Sequence, residues 1–290
     1  MMKIAVTQYK IDIHSDWIHY ANKMEALVLQ AKQADAELLL LPEYAGIEIG
    51  SYHATDLELY QSLQPQLPRY LDFWKSLAHR HQIYIQPGTI LVESAHQQFV
   101  NRAYFFGRDQ TIGYQDKLQL TAYEKSISII KQGEEQTVFD TDYGKIAIAV
   151  CYDCEFPEIV RKLTTAGAWL ILVPSYTITN AGYMRVYLSS RARALENQCY
   201  VATACVVGSV NLSGAAETAV GHAAVLSPVD IGFTDDGVVA QGVMDEVTML
   251  TAVIDNKALE TVRLHGQVNN YLDYRQSATS LDHKVILVDL

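Results

Sequence analysis

The chain has 290 residues, with 22 Lys and Arg against 33 Asp and Glu and a formal net charge of -11. The AVILMFWYC set makes up 49% of it, enough for a large core, and its acidity argues against a nucleic-acid or anionic-membrane surface, since either needs a basic footprint. Four cysteines, no apolar run of membrane-span length and no signal-like stretch before Asp12 and His14 predict a cytoplasmic protein without a disulfide framework.

Lys3 to Tyr9 (KIAVTQY) reads as a buried strand and Asp12 to Asp16 as a polar turn. Trp17 to Ala34 places Ile18, Ala21, Met24, Ala26, Leu27 and Val28 at helical spacing and predicts an amphipathic helix. Glu37 to Glu43 (ELLLLPE) is a short apolar run without alternation, which fits a strand covered on both faces. Gly46 to Leu63, with Tyr52, His53 and Tyr60, reads as a loop or lid, and Pro65 to Arg80 as a second helix. Four strands follow, at Gln82 to Gln86, Thr89 to Glu93, Asn101 to Phe106 and Thr111 to Lys117, the last two joined by a hairpin signal at Gly107 to Gln110. Leu118 to Gly133 is irregular or holds a short helix.

Thr137 to Asp140 and Lys145 to Val150 read as the next strands, and Phe156 to Ala166 as a helix closed by Gly167. Trp169 to Pro174 (WLILVP) repeats the pattern of Glu37 to Glu43, and Ala181 to Gln198 is a helix. Tyr200 to Val207 is a buried strand and Ser209 to Gly221 a loop of small residues. Three strands near His222 to Ser227, Val238 to Gln241 and Met249 to Ile254 precede a short helix at Lys257 to Leu264. Residues 1–265 are expected to form one domain, with 266–290 a tail whose apolar Lys284 to Leu290 pairs with the domain or a partner subunit. The excess of strands over helices points to two stacked sheets with helices outside.

Three apolar runs end in polar groups: Glu43 after LLLLP, Lys117 after TIGYQD and Cys151 after IAIAV. In layered α/β folds ligand sites gather at strand C-termini. If these strands are neighbours, a carboxylate, an ammonium and a thiol converge. A thiol between a strand and a following helix, partly exposed at the helix's positive end, is expected to be a thiolate nucleophile. A carboxylate can serve it as base, and a lysine ammonium can hold an oxyanion. Taken singly, each residue has a plainer reading: Cys151 a small buried hydrophobe, Glu43 a strand end facing solvent, Lys117 a surface lysine. Only the joint pattern reverses the odds. Glu124 lies in a segment of unreadable structure, and Asp153 either orients the loop or, the better reading, caps the helix at Phe156.

Glu43 in LLLPEY, Lys117 in QDKLQL and Cys151 in VCYDCEFPE resemble the Glu–Lys–Cys signature of the nitrilase superfamily of carbon–nitrogen hydrolases. Arg191 to Gln198 (RARALENQ) and Gly221 to Pro228 are similar to two further segments of that family, so the resemblance spans about residues 3 to 255. It implies an α/β four-layer αββα sandwich that forms a homodimer or higher homo-oligomer through helices, without metal or organic cofactor. It also implies hydrolysis of a small-molecule amide or N-carbamoyl group, with Cys151 attacking, Glu43 as general base and acid, Lys117 and the Tyr152 N–H on the oxyanion, and Glu124 as the family's second glutamate. Tyr152, Asp153, Ser175 and Tyr176 follow the strands that end at Cys151 and Pro174 and are expected to line the substrate pocket. Ser175 and Tyr176 alternatively only shape a turn. The chain departs from the pattern at Gln119, where the family has His, at Cys154-Glu155, where it has an apolar residue and Arg, and at His222. These departures leave the substrate subclass open.

Other readings remain: nitrile hydrolysis by the same residues, thiol–disulfide chemistry by Cys151-x-x-Cys154, a zinc site from Cys151, Cys154, Cys199 and Cys205, or a non-catalytic relative. Redox needs both cysteines of the pair, whereas hydrolysis needs only Cys151.

Overall fold

A computed structural model describes residues 1–12, 16–50, 55–211, 216–277 and 286. The first half runs β1 (Met2–Tyr9), α1 (Trp17–Gln33), β2 (Leu38–Leu41), a 3-10 turn (Ala45–Ile49), α2 (Asp56–Leu63), α3 (Leu67–His81), β3 (Tyr84–Pro87), β4 (Thr89–Ala95), β5 (Gln98–Phe106), β6 (Ile112–Asp116), α4 (Ala122–Ser126) and β7 (Ile130–Lys131). The second half runs β8 (Val138–Phe139), β9 (Ile146–Ile148), a 3-10 turn (Cys151–Glu155), α5 (Pro157–Thr165), β10 (Leu170–Ser175), α6 (Asn180–Asn197) and β11 (Tyr200–Val206). It ends with β12 (Gly208–Asn211), β13 (Ala216–Ala219), β14 (Ala224–Leu226), β15 (Val238–Gln241), β16 (Thr248–Ile254), α7 (Asn256–His265) and α8 (Asn270–Ser277).

The strands form one large curled sheet that works as two stacked leaves. In the first leaf β1 pairs parallel with β2 (Ile4↔Leu38 to Val6↔Leu40) and antiparallel with β16 (Met2↔Ile254 to Gln8↔Thr248). Then β2 pairs parallel with β3, and β5 lies beyond it with β4 and β6 as antiparallel neighbours. In the second leaf β9, β10 and β11 are parallel, with β14 and β15 continuing antiparallel. The leaves join where the end of β1 meets the end of β11, at Gln8↔Cys205 and Tyr9↔Val206.

The apolar run of β2 shows why the layers stack. Side chains alternate faces along a strand. Leu39 and Leu41 join Ala5, Tyr20, Met24, Trp74 and Leu77 under α1 and α3, whereas Leu38 and Leu40 join Ile4, Val6, Ile148 and Leu172 between the leaves. Each of the four leucines is fully buried, which contributes about 2 kcal/mol apiece. The Trp74 indole donates to the Tyr20 hydroxyl at 3.1 Å and pins α3 to α1. On the far side Val160 and Leu163 of α5 and Val186 and Ala194 of α6 cover the second leaf. The order helix, sheet, sheet, helix is the expected αββα sandwich.

Three segments differ from expectation. The loop or lid expected from Gly46 to Leu63 holds a 3-10 turn and α2, whose Thr55 and Glu58 cap each other reciprocally; Tyr52 and His53 lie outside the described residues. Small residues at Ser209 to Gly221 concealed the β12–β13 hairpin, paired from Gly208↔Ala219 to Asn211↔Ala216. The tail begins as helix α8, with Tyr271 N donating to Gln198 Oε1 at 3.1 Å and the Arg263 guanidinium 3.9 Å from the Tyr271 ring centroid. The expected strand at Lys284 to Leu290 lies outside the described residues, except Ile286, which is exposed. Among the described residues no helix is long and apolar enough to cross a membrane.

Candidate active site

The C-terminal ends of β2, β6, β9 and β10 bring Glu43, Lys117, Cys151 and Tyr176 to one place. Glu43 follows Pro42, which stops the apolar run, and Tyr44 turns the chain with a left-handed φ of 62° while its N–H donates to Thr89 Oγ1 at 2.8 Å. Gly88, at φ 78°, lies under this turn, where a Cβ would stand 2.0 Å from the Pro42 carbonyl oxygen. Lys117 is held by its backbone, its N–H donating to Asn101 O at 2.9 Å and its carbonyl accepting from Gly133 N at 2.7 Å. Cys151 takes a φ of 46° at the first residue of its 3-10 turn, a costly conformation for a non-glycine residue. Glu124 is the N3 residue of α4: Thr121 Oγ1 accepts from Glu124 N at 3.2 Å, and Glu124 Oε2 accepts from Thr121 N at 2.9 Å.

The charged groups form one hydrogen-bonded set. Lys117 Nζ donates to Glu43 Oε1 at 2.8 Å and to both Glu124 oxygens at 2.8 Å. Asn101 Nδ2 donates to Glu43 Oε1 at 2.9 Å, and Tyr176 N to Glu43 Oε2 at 3.1 Å. The Tyr44 hydroxyl donates to Glu124 Oε1 at 2.8 Å. The Cys151 sulfur lies 3.8 Å from Tyr176 O, and the Glu43 carboxylate is near enough to act on the thiol.

The sequence matches the family model described as carbon-nitrogen hydrolase over residues 3–263. The chain belongs to the carbon–nitrogen hydrolase family. It is 30% identical over 285 residues to a probable hydrolase, YhcX, of Bacillus subtilis; the match takes in 98% of this chain and 55% of that protein, so the chain spans about half of that relative's length. It is 27% identical over 271 residues to the omega-amidase NIT2-A of Xenopus laevis, covering 90% of this chain and 91% of that one. A solved structure of an amidase of the nitrilase superfamily from Nesterenkonia AN1 superposes with a TM-score of 0.76 at 20% identity, over 97% of this chain and 96% of that one. Nit3 of Saccharomyces cerevisiae superposes with a TM-score of 0.72 at 24% identity, over 92% of this chain and 96% of that one. These two likenesses show the shared fold.

Burial sets the proton affinities in this carbon–nitrogen hydrolase. It pushes the Glu43 carboxyl up; Lys117 offsets part of that, and the Glu124 charge adds to it. Burial also works against ionised Glu124, but Lys117, the Thr121 N–H and Tyr44 outweigh it and hold that carboxyl below its ordinary value. For Lys117, burial favours the neutral amine, yet the two carboxylates prevail and keep the ammonium well above its usual range. Burial and then the Glu43 charge push the Cys151 thiol well up, against Lys117. The expected partly exposed thiolate at a helix end is therefore corrected. Cys151 is buried, the 3-10 turn separates it from α5, and it rests as a thiol beside a carboxylate of raised affinity.

Glu43, Lys117, Cys151 and Glu124 open onto a cavity of about 780 Å³, and Tyr152 and Tyr176 line it as well. Asp153 and Ser175, expected in the pocket wall, are not in its lining. Asp153 is fully buried and accepts from Leu118 N at 3.1 Å, Gln119 N at 2.7 Å and Val150 N at 3.1 Å. It thus ties the residues after Lys117 to the residue before Cys151, and it does not cap α5, whose N-cap position is Phe156 and carries no side-chain cap. The Ser175 hydroxyl donates to Ala204 O at 2.9 Å and fixes β10 to β11.

Cys154 is fully buried under α6, its sulfur 3.7 Å from Val186 O and accepting from Ser190 Oγ at 3.7 Å; burial pushes its thiol up to about 12. All four cysteines are free, and among the described residues no three His, Cys, Asp or Glu side chains are grouped to hold a metal. His222 bonds the Tyr183 hydroxyl outside the cavity lining. Sequence reasoning missed Asn101 and Tyr44. Asn101 carries a signal, a lone amide inside the apolar strand FVNRAYFF, where a buried amide must find a partner.

Proposed function

We propose that this protein hydrolyses the C–N bond of a small amide or N-carbamoyl compound through a thioester on Cys151. One observation carries the reading: a buried thiol lies beside Glu43, whose proton affinity burial has raised and whose Oε1 shares the Lys117 ammonium with Glu124. Glu43 takes the thiol proton as sulfur attacks the carbonyl carbon. The Tyr152 N–H, in the first turn of the 3-10 segment where no helical acceptor precedes it, and Lys117 Nζ stabilise the oxyanion. Protonation of Glu43 weakens its hold on Lys117, which frees an N–H as the oxyanion forms. Glu43 then passes that proton to the leaving nitrogen, the C–N bond breaks, and ammonia or an amine departs. Water adds to the thioester as Glu43 takes its proton, the C–S bond breaks, and the proton returns to sulfur as the acid leaves. Glu124 holds Lys117 in place throughout.

In the same reading residues 1–265 act as one catalytic domain in a reducing compartment such as the cytoplasm, which suits four free thiols. Two copies meet through α6, whose Met184, Leu188 and Leu195 are 40%, 53% and 46% exposed. The test is intact mass spectrometry of wild type and Cys151→Ala after incubation with a panel of amides, N-carbamoyl compounds and nitriles. An acyl mass on wild type alone supports the assignment. Labelling that persists in Cys151→Ala, or ammonia release without Cys151, rejects it.

A further inference from the structure

The cavity over Cys151 is lopsided in charge. Among the described residues five carboxylates line it, from Glu43, Asp56, Glu124, Glu155 and Glu217, against two cations, Lys117 and Arg185. Both cations are already engaged. Lys117 is bonded to Glu43 and Glu124, and Arg185, 62% exposed at the rim, lies 3.5 Å from Glu155. Glu155 itself stands where the family pattern has arginine. Asp56 and Glu217 are left without a cationic partner among the described residues.

The rest of the wall suits a cation too. Tyrosines 44, 60, 123, 152 and 176 all line the cavity, and their ring faces attract positive charge. Tyr176 spans from the reactive centre to this acidic end: its N–H donates to Glu43 Oε2 at 3.1 Å and its hydroxyl donates to Glu217 Oε2 at 3.0 Å. The Asp56 and Glu217 charges both push the Tyr123 hydroxyl's proton affinity up, so both lie near that hydroxyl on the cavity wall. The two helix N-termini at the wall are already satisfied. The N-terminus of α2 carries Asp56 and Glu58 in its first turn, and at α6 Thr179 Oγ1 accepts from Gly182 N at 3.0 Å.

We propose that the substrate carries a cationic group, an ammonium or guanidinium, about one tyrosine length from its scissile carbonyl, seated against Tyr176 and Tyr123 near Glu217 and Asp56. This rests on the amidase reading and names the substrate class within it.

Three amides of equal chain length test it: δ-aminovaleramide, hexanamide and adipamate, which end in ammonium, methyl and carboxylate. In wild type kcat/KM falls in that order, by roughly tenfold at each step. Glu217→Gln and Asp56→Asn each narrow the ratio of the first to the second several-fold, and added salt narrows it in wild type. Equal turnover of all three, preference for adipamate, or ratios unmoved by both variants overturns the proposal while leaving the amidase reading intact. Absence of hydrolysis and of any Cys151 adduct with all three would count against the amidase reading instead. Calorimetry on Cys151→Ala decides the cation question even then. δ-Aminovaleramide binds about tenfold or more tightly than adipamate if the proposal holds, and equal or reversed affinity overturns it.

Discussion

Replacing Lys117 by methionine removes the one cation between two buried carboxylates while keeping most of the side-chain volume. Lys117, Glu43 and Glu124 expose 2%, 1% and 3% of their side chains, so water screens their charges little. Two 2.8 Å contacts at one tetrahedral nitrogen put the facing oxygens about 4.6 Å apart. At an effective dielectric constant of about 20, two unit charges at that separation repel by about 3 to 4 kcal/mol, close to the cost of breaking a buried ion pair from one side. Lys117→Met is therefore expected to lose about 3 to 4 kcal/mol of stability at pH near 8. Without the ammonium both carboxyls hold protons more tightly in the folded state than in the unfolded chain. That contribution to stability is fully present below the unfolded carboxyl range and lost as pH rises through the raised folded values. The deficit thus shrinks toward acid pH, and Lys117→Met with Glu124→Gln recovers at least half of it. Urea unfolding of wild type, both variants and the surface control Lys125→Met, across pH, measures this. A deficit under about 1 kcal/mol, a deficit independent of pH, or a double variant no better than the single one would refute the reasoning.

The same geometry sets two further outcomes. In the proposed mechanism Glu43 must be ionised to accept the thiol proton, and burial raises its carboxyl, so the acid limb of kcat/KM is expected above the ordinary carboxylate range. Because the Glu124 charge contributes to that rise, Glu124→Gln moves the limb to lower pH, and a limb that stays put or moves up contradicts the coupling. Gly88→Ala places a Cβ 2.0 Å from the Pro42 carbonyl at a φ of 78°. It is expected to cost at least about 2 kcal/mol and to displace Glu43. Its kcat should fall further than that of Val28→Ala, a change in the α1 layer away from the site; equal kcat in the two would show that the Pro42 turn does not position the carboxylate.

Glu43, Lys117 and Cys151 were legible because each ends an apolar run, and strand ends converge in a layered fold. Glu124 could also have been read, since Thr121-Ala122-Tyr123-Glu124 is a capping-box pattern; its second use, as a partner of Lys117, could not. Asn101 and Tyr44 act across distances of 58 and 80 residues in sequence, through contacts that no local spacing encodes. Asp153 was misplaced for a similar reason: an acid before a helix suggests a cap, but its acceptors were claimed by Val150 and by a loop 34 residues away. The short α2 and the small-residue β12–β13 hairpin carry too little periodic apolar signal to be told from loops.

The alternation of Leu38 to Leu41 between two layers has a consequence for how this enzyme can diversify. Strands packed on both faces leave their end residues almost no latitude, so the position of Glu43 is fixed by the whole sandwich. Asp56 and Glu217 hang instead from α2 and the β12–β13 hairpin, at the margin of the stack. Substitutions there can redraw which molecule fits while the reacting groups keep their places. Preference and reactivity are then separately adjustable, and a lineage could exchange one substrate for another without passing through an inert intermediate.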